Sequence, residues 1–319
     1  MKKKIVTLQK VIKKNSYINQ RLDKILSKIF PNYSRSCFKK WILKGYVSIN
    51  GKIVNIPKKK IMLLDKLVVK GRIYTKTFYP EKIFLNIIYE DKYLMIINKP
   101  CNMVVHPGYG NENKTLLNGL LFYNNLLKLV PRAGIVHRLD KNTTGLLIIA
   151  KTIKTYFLLQ KMLKFRKIYR EYRAIVNGSL FGSGSIKVPI SRHFFNRTKM
   201  SVSIFGKLSK TYYTVLENFP YHTLLKIFLK TGRTHQIRVH MLYLNYPILG
   251  DPLYKKKLFF NKYLNHKTLN ILNNFKRQAL HAYKLKFLHP ITKKIIKIKS
   301  LLPEDMQKII FYLRNNKQI

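Results

Sequence analysis

The chain has 319 residues, 46 % of them hydrophobic, which is enough for a sizeable core and too apolar for a disordered tail. Lys and Arg number 63 against 12 Asp and Glu, a formal net charge of +51. A field of that sign draws polyanions, nucleic acid first, although a sequence this rich in Lys, Ile, Asn and Tyr owes part of the figure to compositional drift. Two isolated cysteines, Cys37 and Cys101, exclude a disulfide framework and a Cys-rich zinc site. No stretch approaches the roughly 20 apolar residues of a bilayer span. The basic start, MKKKIVTLQKVIKKN, lacks the apolar run of a secretion signal. A cytoplasmic protein without membrane contact is expected.

Residues 1–17 read as a basic, poorly ordered arm. Residues 18–75 read as a compact α-α-β unit. Leu22, Ile25, Leu26 and Ile29 follow helical spacing, and Pro31 stops that helix. Ser34 is placed to cap a second helix with Cys37, Phe38, Trp41 and Ile42 as its buried stripe. Its outer face carries Arg35, Lys39, Lys40 and Lys44, either solvated cations or a seat for phosphate backbone. VSINGKIV signals a hairpin turning at Asn50-Gly51, and DKLVVKG a further strand.

Residues 76–84 read as a linker, and residues 85–319 as a second, strand-rich domain. Its strands are LNIIYED, YLMIINKP, GLLIIAK, REYRAIVNG, KTYYTVLEN and HTLLKIFLKTG. Helices are expected at NGLLFYNNLLKL, TYFLLQKMLKF and THQIRVHMLYLN, and GSLFGSGSIK as a flexible loop. Strands and helices do not alternate strictly, so a mixed, largely antiparallel α+β sheet is expected.

No P-loop, dinucleotide fingerprint, HExxH helix or GxSxG elbow occurs, so no cofactor and no metal is expected. With few acids, each carboxylate can be weighed. Asp23 reads as a salt-bridge partner in the first helix, and Asp251, in LGDPLY, as a turn before a proline. Asp140 differs: its loop lies between Gly134 and Gly145 and runs into the apolar strand LLIIA. It is either a reactive carboxylate or an Asx-turn that closes its own loop. In LKTGRTHQIRVH, Thr234 is placed as N-cap, with Ile237, Met241 and Leu244 as the buried stripe. Arg233 stands at the strand–helix junction within reach of a carboxylate or phosphate, with Arg238 and His240 on other helix faces. Tyr169 and Tyr172, three apart in KIYREYRAIVNG, read as core or as a surface for a nucleobase.

Together, HRLDKNTTGLLIIAK, REYRAIV, LKTGRTHQIRVH and NKPCNMVVHPG resemble the RluA-type pseudouridine synthases. The stretch RLDKIL…SRSCFKKWILKGYVSINGK resembles the S4 RNA-binding domain. PRAGIVHRLDKNTTGL, VHPGYGN, ISRHFFNRTKM, GDPLY and RQALHA are similar to the branch of that family acting on 23S ribosomal RNA. The resemblance implies an S4-like domain before a catalytic domain with a central cleft, working without cofactor on ribosomal RNA, with the helix 69 stem-loop as substrate; a monomer is the default expectation. It implies that Asp140 is the catalytic carboxylate, Arg233 its ion-pair partner, and Tyr172 the ring stacked on the target uracil. Ile237 would floor the pocket and Arg138 fill the gap left by a flipped uridine. His137, Arg238, Arg35, Lys39, Lys40 and Lys44 would be further RNA contacts. The other readings are a sister branch acting on other ribosomal or transfer RNA sites, and a non-catalytic S4-type assembly protein in which Asp140 is structural.

Overall fold

The computed structural model describes residues 2–75, 78–108, 110–255 and 264–315. The chain divides into two units, Met1–Phe78 and Tyr79–Ile319.

In the first unit, α1 (Leu22–Ile29) and α2 (Arg35–Leu43) follow a strand β1 (Lys2–Val11), and β2 (Val47–Ile49), β3 (Lys52–Ile53) and β4 (Lys66–Thr75) complete it. The sheet order is β1-β4-β2-β3. Ser34 caps α2 as expected, accepting the Cys37 N–H at 3.2 Å. Phe38, Trp41 and Ile42 bury against Leu22, Ile25 and Leu26, while Ile29 and Cys37 pack at the margin. Asn50 and Gly51 both take positive φ, 50° and 83°, the twist a two-residue hairpin needs. Gly71 lies flat against Trp41; a Cβ there would stand 2.6 Å from the indole.

The expected basic arm is a strand. Lys2–Val11 pair antiparallel with the whole of β4, from Lys2 opposite Thr75 to Val11 opposite Lys66. Alternation was present in Val6 and Leu8, half-buried two residues apart, and Leu8 touches the core. The lysines that flank it in the sequence hid the pattern.

The second unit is built on a nine-stranded sheet. Its strands in chain order are β5 (Ile87–Glu90), β6 (Leu94–Lys99), β7 (Thr144–Ala150), β8 (Tyr169–Asn177), β9 (Ser183–Ile186), β12 (Thr211–Phe219), β13 (His222–Leu229), β14 (Leu280–Leu288) and β15 (Ile295–Lys299). β10 (Ile190–Arg192) and β11 (Met200–Val202) form a separate hairpin. The helices are α3 (Leu116–Tyr123), α4 (Ile153–Lys164), α5 (Gln236–Tyr243), α6 (His266–Asn274) and α7 (Glu304–Arg314). The order is β5-β6-β7-β14-β8-β13-β12-β9, with β15 beside β14. Only β7 and β14 run parallel among these pairs, so the sheet is mixed and largely antiparallel, as the sequence indicates. GSLFGSGSIK is not all loop: Ser183–Ile186 extend the sheet edge along β12.

Of the expected linker, residues 76 and 77 lie outside the described residues. Residues 79–84 dock on α3: the Tyr79 carbonyl accepts from Asn118 Nδ2 at 2.8 Å, and Glu81 accepts the Lys114 N–H at 3.0 Å. The α3 face they cover includes Gly119, where a Cβ would meet Ile83 at 3.0 Å.

β7 is buried along its full length. The Asp140 loop enters it between two glycines that close approach requires. At Gly134 (φ +80°) a Cβ would fall on the Ala150 carbonyl oxygen, and at Gly145 (φ +110°) it would stand 2.4 Å from that of Ala282. The loop is thereby fixed at the centre of the sheet.

Candidate active site

A cleft of about 550 Å³ opens beside the Asp140 loop, within the size range of small-molecule sites. His137, Arg138 and Asp140 line it from the loop, Arg170 and Tyr172 from β8, and Arg233, His235, Ile237 and Arg238 from the start of α5. Seven of the eleven residues singled out from the sequence thus converge here. The other four, Arg35, Lys39, Lys40 and Lys44, lie in the first unit. There the three lysines are exposed on α2, and Arg35 makes a two-point ion pair with Asp23, at 3.0 and 3.2 Å.

The expected Arg233–Asp140 pair is not the one formed. Arg238 donates from Nη1 to Asp140 Oδ2 at 3.1 Å, and the remaining face of its guanidinium is held by Asp251 through Nε at 2.6 Å and Nη2 at 2.8 Å. Asp251 is fully buried and also accepts the Leu253 and Tyr254 N–H groups. It is therefore more than a turn residue. It clamps the arginine that, among the described residues, pairs with Asp140. Burial works against the Arg238 charge, but Asp251 and Asp140 outweigh it and hold the pKa above the ordinary arginine value.

The entry to α5 explains the exchange. Thr234 does not cap the helix; His235 occupies the cap position in the left-handed region (φ 54°, ψ 20°) and caps nothing with its side chain. Gln236 orders the turn instead. Its Oε1 accepts the Arg233 N–H at 3.0 Å and the Thr231 hydroxyl at 2.8 Å, and its Nε2 donates to the Lys210 carbonyl and to Thr211 Oγ1. From Gln236 to Met241 every residue of α5 is buried, so Arg238 and His240 do not face outward as expected. Ile237 and Met241 join the main core, while Val239 packs on Ile190 and Tyr254. Arg233 stays exposed at the mouth of the cleft.

His235 sets its Nε2 at 3.8 Å from Asp140 Oδ2, and its Nδ1 meets Tyr254 Oη at 2.8 Å. Burial lowers its pKa, opposed by the Asp140 charge. The hydroxyl of Tyr254 is spoken for on its other side by the Met200 N–H, at 2.7 Å. Arg238 and His235 both address Oδ2, and among the described residues Oδ1 accepts no hydrogen bond. The carboxylate is thus gripped by one oxygen only among the described residues.

Tyr172 is 6 % exposed with its ring in the cleft wall, and burial raises its hydroxyl pKa. His137 accepts the Ile148 N–H on Nε2 at 3.1 Å; burial, with Arg170 adding, pulls it down to about 3, so it is a neutral wall residue.

Three residues that the sequence did not single out hold the loop. Lys99, at 0 % exposure, donates from Nζ to the carbonyls of Pro100, Met103 and Lys141 at 2.7, 3.1 and 2.9 Å. Arg277 reaches the Asn142 carbonyl at 3.4 Å while paired with Asp305 at the start of α7, and Gln278 donates to Thr143 Oγ1 at 3.0 Å. Lys99 sits in NKPCNMVVHPG, so its motif was visible though its task was not.

Residues 93–243 match the RNA pseudouridylate synthase family, and residues 20–61 match the S4 domain. The chain is 47 % identical over 301 residues to ribosomal large subunit pseudouridine synthase D of Buchnera aphidicola subsp. Schizaphis graminum, covering 93 % of this chain and 95 % of that one. It is 43 % identical to the protein of the same name from Vibrio cholerae, covering 96 % and 95 %. Human RNA pseudouridylate synthase domain containing 4 superposes with a TM-score of 0.57 at 25 % identity, covering 72 % of this chain and 93 % of that one. With a carboxylate held through one oxygen in a cleft that Tyr172 also lines, and relatives this similar along nearly the whole length, the chain belongs to the RNA pseudouridylate synthase family and carries an S4 domain at its N-terminal end.

Proposed function

We propose that this protein isomerises uridine to pseudouridine in 23S ribosomal RNA, in the helix 69 stem-loop, working in the cytoplasm as a monomer. The observation that carries the chemical reading is the state of Asp140: Oδ2 is fixed by Arg238, which Asp251 fixes in turn, and the carboxylate lines the cleft with Oδ1 accepting no hydrogen bond among the described residues. The two large-subunit relatives supply the substrate class.

The reaction breaks the N1–C1′ bond, turns the uracil, and forms a C5–C1′ bond; the C5 proton leaves and N1 gains one. Cleavage calls for a single aimed carboxylate, acting at C1′, at C6 or on the C2′ proton. Asp140 is so aimed. Tyr172 and Ile237 offer an apolar wall on which the detached base can turn without escaping. A uridine must leave its stack to arrive, at a cost of a few kcal/mol. Arg138, exposed at the rim, is placed to fill the space it vacates, and Arg233 and Arg170 to take phosphate charge. In the S4 domain, Lys39, Lys40 and Lys44 are exposed cations suited to phosphate backbone, whereas Arg35 is largely committed to Asp23.

Lys99 gives the reaction a pH limit. Burial draws its pKa down to about 8, against the opposing pull of Cys101 and Asp140. Below that value an ammonium offers three hydrogens to three carbonyls; above it a neutral amine offers two, and the tie to the Lys141 carbonyl slackens. Turnover should therefore decline as pH rises through about 8. Between there and the ordinary lysine value the unfolded chain binds the extra proton, so this group makes folding stability rise with pH. A melting curve taken over the same range should show no matching loss of fold, and Lys99→Met should lower the plateau rate and erase the limb.

Mapping pseudouridine in ribosomal RNA from cells with and without the gene tests the assignment. Loss of the helix 69 modifications alone is expected. Unchanged helix 69 with loss elsewhere would reassign the substrate, and an unchanged map would contradict the function.

A further inference from the structure

The β10–β11 hairpin stands apart from the nine-stranded sheet, and its turn, HFFNRTK, carries two phenylalanines in succession. Phe194 is 88 % and Phe195 86 % exposed, their rings edge to face at 5.0 Å. Ile204, Phe205 and Leu208, on the segment that follows, are also well exposed. Neither phenylalanine contributes to a core, so folding does not account for them.

The turn is well built. Asn196 donates its N–H to His193 Nδ1 at 3.1 Å, Thr198 donates its N–H to Asn196 Oδ1 at 3.1 Å, and His193 N–H reaches the Lys199 carbonyl at 3.0 Å. The Arg192 guanidinium closes on the Arg197 carbonyl. Such a tip presents its rings with little ordering entropy left to lose.

The stretch of chain that builds it carries cations only. No Asp or Glu occurs between Glu171 and Glu217, while Arg192, Arg197, Lys199 and Lys207 crowd the hairpin. Bare aromatic faces among unopposed cations suit unpaired nucleotides, whose bases stack on rings and whose phosphates meet the charges. A duplex buries its base faces and offers only the phosphates. The hairpin foot also joins the site: Ile190, Met200 and Val202 pack with Val239 and Tyr254, and Tyr254 Oη, which takes the Met200 N–H, contacts His235 beside Asp140.

We propose that the Phe194–Phe195 tip is a second RNA-contact point, stacking on an unpaired base of the substrate loop outside the Asp140 cleft, with Arg192, Arg197 and Lys199 on the adjoining phosphates. This rests on the RNA-isomerase reading.

The test compares the full chain with its Phe194→Ala/Phe195→Ala and Phe194→Tyr/Phe195→Tyr variants. Each is titrated with a stem-loop RNA and with a perfect duplex of equal length, and assayed for turnover of the stem-loop. The alanine pair should weaken stem-loop binding about tenfold or more and raise KM alike, with the loss carried by KM rather than kcat. Duplex affinity should hold, and the tyrosine pair should restore the loop. Equal stem-loop binding by wild type and alanine pair would overturn the proposal. So would equal losses on loop and duplex, or a change confined to self-association in sedimentation. Binding is read without turnover, so a wild-type protein that bound the loop through this tip but made no pseudouridine would sink the isomerase reading alone.

Discussion

Asp140→Asn should abolish pseudouridine formation, a loss of at least about 10⁴-fold, and should leave both RNA affinity and fold nearly unchanged. The amide fills the same space but is a far weaker nucleophile and base. In many buried ion pairs, removing one partner strands the other charge at a cost of roughly 3–5 kcal/mol. Here Arg238 keeps Asp251 on Nε and Nη2, so the guanidinium is never left alone. The amide oxygen can still accept from Arg238 Nη1, so the melting temperature should move little, by no more than the roughly 1 kcal/mol that an ordinary hydrogen bond contributes. Activity and stability thus part company at this residue. Single-turnover assays beside filter binding and thermal melts would check all three quantities.

At Arg238 the two fall together. Arg238→Met removes the cation between two carboxylates, leaving Asp251 fully buried with only the Leu253 and Tyr254 N–H groups, and Asp140 with no guanidinium on Oδ2. Stability should drop by roughly 3–5 kcal/mol, and kcat by about 10²- to 10³-fold once the protein is assayed well below its lowered melting point. Arg238→Lys should recover part of the stability and little of the rate, because a point charge cannot span Asp140 and Asp251 in the fixed fork the guanidinium supplies. By contrast Arg233→Met, at the exposed mouth, should act on KM and leave the melting temperature alone. An Arg233 variant that melted early while Arg238→Met did not would reverse the assignment of the two arginines.

Those two arginines show where the sequence stops being legible. Residue type and spacing leave Asp140 open between a reactive and a structural role; it is the resemblance of the motifs to a known family that gathers Asp140, Tyr172, Ile237 and Arg233 into one site. Neither the spacing nor the resemblance identifies Arg238 as the arginine that reaches the aspartate. That depends on where α5 begins, and a left-handed His235 held by Gln236 moves the start past Thr234. Asp251 is 111 positions from Asp140, and GDP reads equally well as a turn; only the tertiary fold brings it onto Arg238. Lys99 and Arg277 hold the loop through backbone carbonyls, contacts that no side-chain pattern announces. The six strands read from the sequence were plain as apolar runs, whereas β1 was masked by lysine and β9 by glycine and serine.

The central claim is that Asp140, held through Oδ2 by Arg238, performs the isomerisation. Isomerisation frees the hydrogen at C5, so RNA carrying tritium at that carbon reports it directly. Wild-type protein should release one tritium for each pseudouridine made, and Asp140→Asn none above background while retaining the same RNA on a filter. Release by the asparagine protein at a rate within tenfold of wild type would contradict the account.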